Sequence, residues 1–218
     1  MIRPKFQLVF FDVDSTLVTI EGIDELARGN EEIASLTEAA MSGEVPVEQV
    51  YERRLDLIRP SRSAIENLAH TYLRSLTPGA EETIGDLRKS GVDVHLATAG
   101  IHQAIEPLAS RLQIPARALH AVRLSFDHTG NYADFDRRSP LTRSRGKEIV
   151  VRDVRSRNKG KIAFIGDGVT DLEAATAADL FIGFGGVTIR ERVQKNAPIY
   201  VTDPDLRAIL PHLFEEAV

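Results

Sequence analysis

Short apolar runs alternate along this chain with stretches whose apolar positions recur every three to four residues. The runs Leu8 to Phe11, Val92 to Ala97, Lys161 to Ile165, Leu180 to Phe184 and Ile199 to Val201 read as buried strands, and Ala118 to Leu124 reads as a sixth. Helical periodicity fills most of the intervals. Strand–helix alternation of this kind predicts an α/β fold with a Rossmann-like parallel sheet covered on both faces.

One interval breaks the alternation. Between Val18 and Thr77 only helical signals occur. Apolar positions recur at Ile23, Leu26 and Ala27, then at Ile33, Leu36, Ala39 and Ala40. A third stripe holds Val47, Val50, Tyr51, Leu55 and Ile58 and stops at Pro60. A fourth holds Ile65, Leu68, Ala69 and Tyr72, with Ser63 and Glu66 spaced as a capping box. A plain connection takes about 2–6 residues, so residues 19–76 predict a small helical cap domain inserted into a core of residues 1–18 and 77–218. Beyond it, "TPGAEETIGDLRKSG" predicts a helix with Thr77 as N-cap, Pro78 in the first turn and Gly91 as the stop. Pro107, inside the helical stretch from Ile101 to Leu112, predicts a kink or a broken first turn. Gly130-Asn131 separates two short alternating runs, which predicts a small β-hairpin insert within residues 120–136.

The chain has 218 residues and is 43% hydrophobic, enough for one sizeable core with a smaller unit attached. Charged residues make up 27% and the net charge is -5, with Lys and Arg scattered, so no nucleic-acid footprint is expected. Cysteine is absent, which excludes disulfides, thiolate metal sites and a cysteine nucleophile. No apolar stretch approaches the roughly 20 residues needed to span a membrane. The expectation is a cytoplasmic protein, with no membrane partner, acting as a monomer or homodimer.

In open α/β sheets ligands bind outside the carboxyl ends of the strands. Asp12 and Asp14 follow the first strand, Thr98, Ala99 and Gly100 the second, and Asp167 and Asp171 the "FIG" that ends the Lys161 strand. Carboxylates crowded on one edge repel unless a cation joins them. Oxygen ligands without nearby His or Cys suit Mg²⁺. Thr98 stands before a predicted helix, where backbone N–H groups hold anions, and Lys147 is a candidate cation for the same anion. A cation site beside an anion site points to phosphate chemistry. Singly, each piece has a plainer reading: Asp-x-Asp and Thr98 as helix caps, "GDG" as a turn, Lys147 as a solvated helix residue. Their joint order along one sheet edge carries the inference. Arg54 stands out on its own, because it lies on the apolar stripe four after Val50 and four before Ile58. An inward arginine needs an anionic partner, unless it snorkels along the stripe or pairs with a nearby carboxylate.

"DVDSTL", a Thr after the second strand, a later Lys and "GDGVTD" together resemble the haloacid dehalogenase superfamily. "EGIDELA", "AMSGEVPVEQVYERRLDLI", "LTPG", "SRGK", "IGDGVTDLEA" and "FIGFGG…IR" narrow the resemblance to its phosphoserine phosphatase family, over nearly the whole chain. The resemblance implies the haloacid dehalogenase fold, a small phosphomonoester substrate such as phosphoserine, and an aspartyl-phosphate intermediate. In that reading Asp12 is the nucleophile, and Asp14 protonates the leaving alcohol and then activates water. Mg²⁺ is held by Asp12, the backbone of Asp14 and Asp167, with Asp171 supporting. Thr98 and Lys147 neutralise phosphoryl oxygens, and Arg145 is a rival for the cationic role. Thr170, Ala99, Gly100, Met41, Ser42 and Gly43 match positions near the substrate. Glu21 matches the partner of the substrate amine, and Arg54 that of its carboxylate. The chain departs from the family where it has Thr98-Ala99-Gly100-Ile101 for Ser-Gly-Gly-Phe, Ser42 for Gly and Val47 for Phe. These changes fall around the leaving group, so the substrate could be another small phosphomonoester, or the phosphoryl group could pass to a second alcohol. A phospho-accepting receiver module is the alternative from another class, but its accepting Asp follows a central strand and it lacks a cap of about 60 residues.

Overall fold

A computed structural model describes residues 3–27 and 29–215. The first strand, β1 (Leu8–Phe11), is buried along its whole length, and it lies at the middle of the sheet. Four helices follow it: α1 (Gly22–Ala27), α2 (Glu31–Ser42), α3 (Val47–Ile58) and α4 (Arg62–Arg74). The chain then returns through α5 (Ala80–Lys89) to β2 (Asp93–Ile101), α6 (His102–Arg111) and β3 (Leu119–Val122). An antiparallel hairpin, β4 (Leu124–Phe126) and β5 (Tyr132–Phe135), stands apart from the main sheet. The second half runs α7 (Gly146–Arg157), β6 (Ile162–Gly166), α8 (Val169–Ala174), β7 (Leu180–Phe184), α9 (Glu191–Asn196), β8 (Ile199–Val201) and α10 (Leu210–Leu213).

The six strands pair in parallel in the order β3-β2-β1-β6-β7-β8. The strand order reverses direction beside β1, which makes the carboxyl ends of β1 and β6 the topological switch point of the sheet. Phe10, Phe11, Phe164, Phe181 and Phe184 are fully buried around it. The helical insertion leaves and rejoins the sheet through a narrow neck, where Val18 pairs with Leu76 in an isolated antiparallel bridge.

Several expectations shift in position. The second strand runs to Ile101 because it bulges: between Ala97 and Ile101 it spends four steps where β3 spends two, from His120 to Val122. Thr98, Ala99 and Gly100 occupy that bulge, and such irregularities re-aim side chains at sheet rims. The sixth strand ends at Val122, and Leu124 already belongs to the hairpin. Thr77 does not cap α5. Its hydroxyl donates to the Thr16 carbonyl and its N–H to the Leu17 carbonyl, so the neck consumes it; the helix starts after Gly79, whose φ of 74° needs glycine. The Ser63–Glu66 capping box is replaced by Ser61, which accepts the Ala64 N–H. The helix α6 runs through Pro107 as one element. The turn before β5 forms as expected, with Gly130 at φ 85°.

Candidate active site

The first strand delivers Asp12 at the switch point, 4% exposed. Its Oδ1 accepts the Val13 N–H at 2.8 Å, and its Oδ2 lies 2.8 Å from the Lys147 ammonium. Lys147 reaches inward because α7 begins tight against the preceding turn: a Cβ on Gly146 would sit 2.0 Å from the Pro140 carbonyl oxygen. The ammonium also donates to Asp171 Oδ1 at 2.6 Å. Burial works against its charge, but Asp12 and Asp171 outweigh that and raise its pKa. Arg145 does not compete for this place. It is largely exposed, takes φ 58° before α7, and pairs with Glu148 at 2.6 Å.

The turn and helix that follow β6 deliver the other carboxylates. Asp171 packs on Gly166 so closely that a Cβ there would meet its Cγ at 2.2 Å, and its Oδ2 accepts the Gly168 N–H at 2.9 Å. Asp167 Oδ2 accepts from Arg190 Nε at 2.8 Å. Burial pushes Asp167 up to about 6, with Arg190 opposing. One oxygen each of Asp12, Asp167 and Asp171 lie within 4.8 Å of one another.

This cluster fits a divalent cation. Every donor is a carboxylate oxygen, and all three groups are buried. Set against the ammonium of Lys147 and the guanidinium of Arg190, three ionised carboxylates leave one negative charge in excess. All three carboxylates already accept hydrogen bonds or ion pairs: Asp12 from Val13 and Lys147, Asp167 from Arg190, and Asp171 from Lys147 and Gly168. The Asp14 carboxylate stands outside the cluster.

A cavity opens beside the cluster. It is lined from the sheet edge by Asp12, Asp14, Thr98, Ala99, Gly100, Lys147 and Thr170, and from the helical insertion and the segment leading into it by Glu21, Met41, Tyr51, Arg54 and Tyr72, among others. The Thr98 hydroxyl is 1% exposed for the residue as a whole and accepts the Gly100 N–H at 3.0 Å. Asp14 Oδ1 accepts from the Tyr72 hydroxyl at 2.7 Å. Burial pushes the Asp14 carboxyl up to about 7, against the lowering effect of the Tyr72 hydrogen bond. Glu21 is also pushed well up, by burial and then by Asp14 and Asp167, while Ser15 donates to it at 2.6 Å. Arg54 is 4% exposed. Its Nη1 donates to Thr37 Oγ1 at 3.2 Å, and its Nε has no partner. Burial lowers its pKa.

Ser42 and Gly43 do not line the cavity. Gly43 closes α2 in the left-handed region at φ 79°, and the Ser42 hydroxyl turns back to the Ala39 carbonyl. Four residues of the site were not singled out for it in the sequence. Ser15, at φ 51°, orients Glu21. Arg190 joins Asp167 to Glu38 at 2.7 Å and reaches Glu21 at 3.5 Å. Tyr51 donates to the Ala99 carbonyl at 2.9 Å, and Tyr72 holds Asp14. Both tyrosines read as ordinary members of apolar stripes, and Arg190 lies in the "FIGFGG…IR" stretch without a strand end to mark it.

A switch-point carboxylate cluster under a helical insertion is the arrangement of haloacid dehalogenase-like hydrolases, and the model of that family matches residues 6–179. The chain resembles phosphoserine phosphatase of Homo sapiens at 44% identity over 199 residues, covering 89% of this chain and 88% of that one. Two solved phosphoserine phosphatases superpose with a TM-score of 0.81 at 28% identity. One holds an analogue of a phospho-aspartyl intermediate, with 96% of this chain and 99% of that one covered. The other is a substrate-bound complex, with 95% and 98% covered. The chain belongs to the haloacid dehalogenase-like hydrolases and, within them, to the phosphoserine phosphatase family. It is a phosphomonoester hydrolase by membership, not a receiver module. No helix among the described residues is long and apolar enough to cross a membrane.

Proposed function

We propose that this chain hydrolyses O-phospho-L-serine to L-serine and phosphate. Asp12 attacks phosphorus and becomes an aspartyl phosphate, while the bond from phosphorus to the seryl oxygen breaks. Asp14 gives that oxygen its proton; the carboxylate left behind then takes a proton from the water that releases phosphate and restores Asp12. A pKa near 7 suits a group that must serve as acid and then as base at neutral pH. The Thr98 hydroxyl and the Lys147 ammonium hold the phosphoryl oxygens where charge develops. Mg²⁺, held by Asp12, Asp167 and the backbone of Asp14 with Asp171 in support, would supply the positive charge that lets a carboxylate approach a phosphate dianion.

Arg54 takes the substrate carboxylate and Glu21 its ammonium. Thr170 and Met41 line the same space, and Ala99 and Gly100 form its floor at the bulge. The helical insertion of residues 19–76 acts as the cap that reads the substrate. One observation carries the assignment of substrate: Arg54 is buried in the cavity wall with its Nε unpaired, and Glu21 lines the same cavity. A buried arginine over the Tyr51 ring, whose one hydrogen bond goes to a threonine hydroxyl, has donors to spare for an anion from outside the chain.

The test is phosphate release from a panel of phosphorylated metabolites, with Mg²⁺ and then with chelator. Phosphoserine is expected to exceed phosphoethanolamine, which lacks the carboxylate, by about a hundredfold in kcat/KM, the worth of a charge-assisted bidentate contact. Equal rates on the two would overturn the assignment of serine.

A further inference from the structure

Tyr72 is a cap residue with no place in the motifs that identify the family, yet its hydroxyl ends on the proposed proton-transferring carboxyl. From this geometry we infer that Tyr72 is the positioning residue of Asp14: it fixes Oδ1 so that the acid's proton is carried on Oδ2, toward the phosphoryl site. The inference rests on the reading of Asp14 given above.

Three observations support it. The phenol donates to Oδ1 at 2.7 Å, and the ring is fully buried in α4. A Cβ on Gly22 would lie 1.9 Å from the hydroxyl oxygen, so the start of α1 admits the hydroxyl only because a glycine stands there. The other oxygen, Oδ2, faces the bulge: a Cβ on Gly100 would sit 3.3 Å from it and 3.2 Å from the Thr98 hydroxyl oxygen. An oxygen that accepts a hydrogen bond is the poorer place for the acid's own proton, so that proton belongs on Oδ2. In the first half-reaction it moves from Oδ2 to the seryl oxygen as the phosphorus–oxygen bond breaks and Asp12 takes the phosphoryl group. In the second, water adds to phosphorus as the bond from phosphorus to the Asp12 oxygen breaks, and a proton of the water returns to Asp14. Because Tyr72 lies on the insertion, four residues before Leu76 in the neck, the carboxyl is oriented only while the insertion is seated.

A buried tyrosine hydroxyl usually finds some acceptor, so packing alone is the competing explanation. The two differ in how the loss depends on the leaving group. An alkoxide needs the acid's proton to depart; p-nitrophenolate is stable as the anion and does not. Tyr72→Phe keeps the ring and removes the donor. Its kcat/KM is expected to fall at least about tenfold on phosphoserine and less than about threefold on p-nitrophenyl phosphate, with KM for phosphoserine little changed. Gly22→Ala, which drives a methyl against the same hydroxyl, is expected to show the same selectivity. It stands in if the phenylalanine variant does not fold. Equal losses on both substrates overturn the inference. Asp14→Asn separates the two layers of the argument: if it keeps phosphoserine turnover, the role given to Asp14 fails, whatever Tyr72 does.

Discussion

Arg54→Met has opposite consequences for activity and for stability, and the sizes of both follow from its surroundings. The guanidinium is 4% exposed and makes one hydrogen bond, 3.2 Å to Thr37, with Nε unpaired. Burial lowers its pKa and outweighs the opposing effects of Tyr51, Glu21 and Asp24. A desolvated charge with so little compensation costs the fold free energy when no substrate is bound. Methionine fills a similar volume without the charge. The free enzyme should therefore gain about 1 kcal/mol of stability, or at the least lose none. A substrate carboxylate, by contrast, would find two parallel donors in the wild type and none in the variant. Losing such a pair costs about 3 kcal/mol, or a little more than a hundredfold in kcat/KM. The assay is a pair of measurements on the same preparations: kcat/KM for phosphoserine and for phosphoethanolamine, and the thermal midpoint without ligand. The expected result is a large loss on phosphoserine, a small one on phosphoethanolamine, and an unchanged or raised midpoint. A lowered midpoint with equal losses on both esters would show that Arg54 is structural and refute the reasoning.

Two further outcomes follow from the buried titrating groups. Burial raises Asp14 to about 7 and Asp167 to about 6, so the fold holds protons that the unfolded chain releases above about pH 4, and their stabilising contribution is lost as pH rises from about 4 to about 7. A divalent cation binds the ionised ligands, so millimolar Mg²⁺ should raise the thermal midpoint more at about pH 8 than at about pH 5; no rise at either pH would count against the cation site. The sign is reversed at the far end of β2. His95 and His120 stack with ring centroids 5.4 Å apart, and burial, then His95, lower His120 to about 4. The unfolded chain binds the proton more readily between about 4 and 6.5, so the contribution of His120 is complete above about 6.5 and lost as pH falls through about 4, on the order of 3 kcal/mol. The difference in unfolding free energy between wild type and His120→Leu should change over that range, and a flat difference would contradict it.

Much of this architecture is legible in the residues because the relevant patterns are local. A strand buried on both faces must be continuously apolar, so β1 and β7 are visible within a residue. Asp12, Asp167 and Lys147 are visible because a charge beside a strand end or next to a glycine is a positional signal. The bulge at Thr98 was not visible, because it depends on the register of β3 against β2, between residues far apart in sequence. Thr77 and Ser63 failed as caps for a similar reason. Each suits a helix start locally, but the neck claims Thr77, and Ser61, two residues before Ser63, takes the cap by accepting the Ala64 N–H. Tyr51 and Tyr72 were hidden by their own rings. Five or six apolar carbons place a tyrosine on a core stripe, and the sequence does not say where its hydroxyl ends. Arg190 was hidden by distance, since its three carboxylate partners, Glu21, Glu38 and Asp167, come from widely separated parts of the chain.

The central claim is a covalent bond between phosphorus and the side chain at position 12. Reacting the protein with phosphoserine carrying labelled phosphorus, quenching in acid within the first turnover and sequencing the labelled peptide tests it most directly. The account predicts label on Asp12, gone in Asp12→Asn together with turnover. Label on any other residue, or undiminished phosphate release by Asp12→Asn, would contradict it.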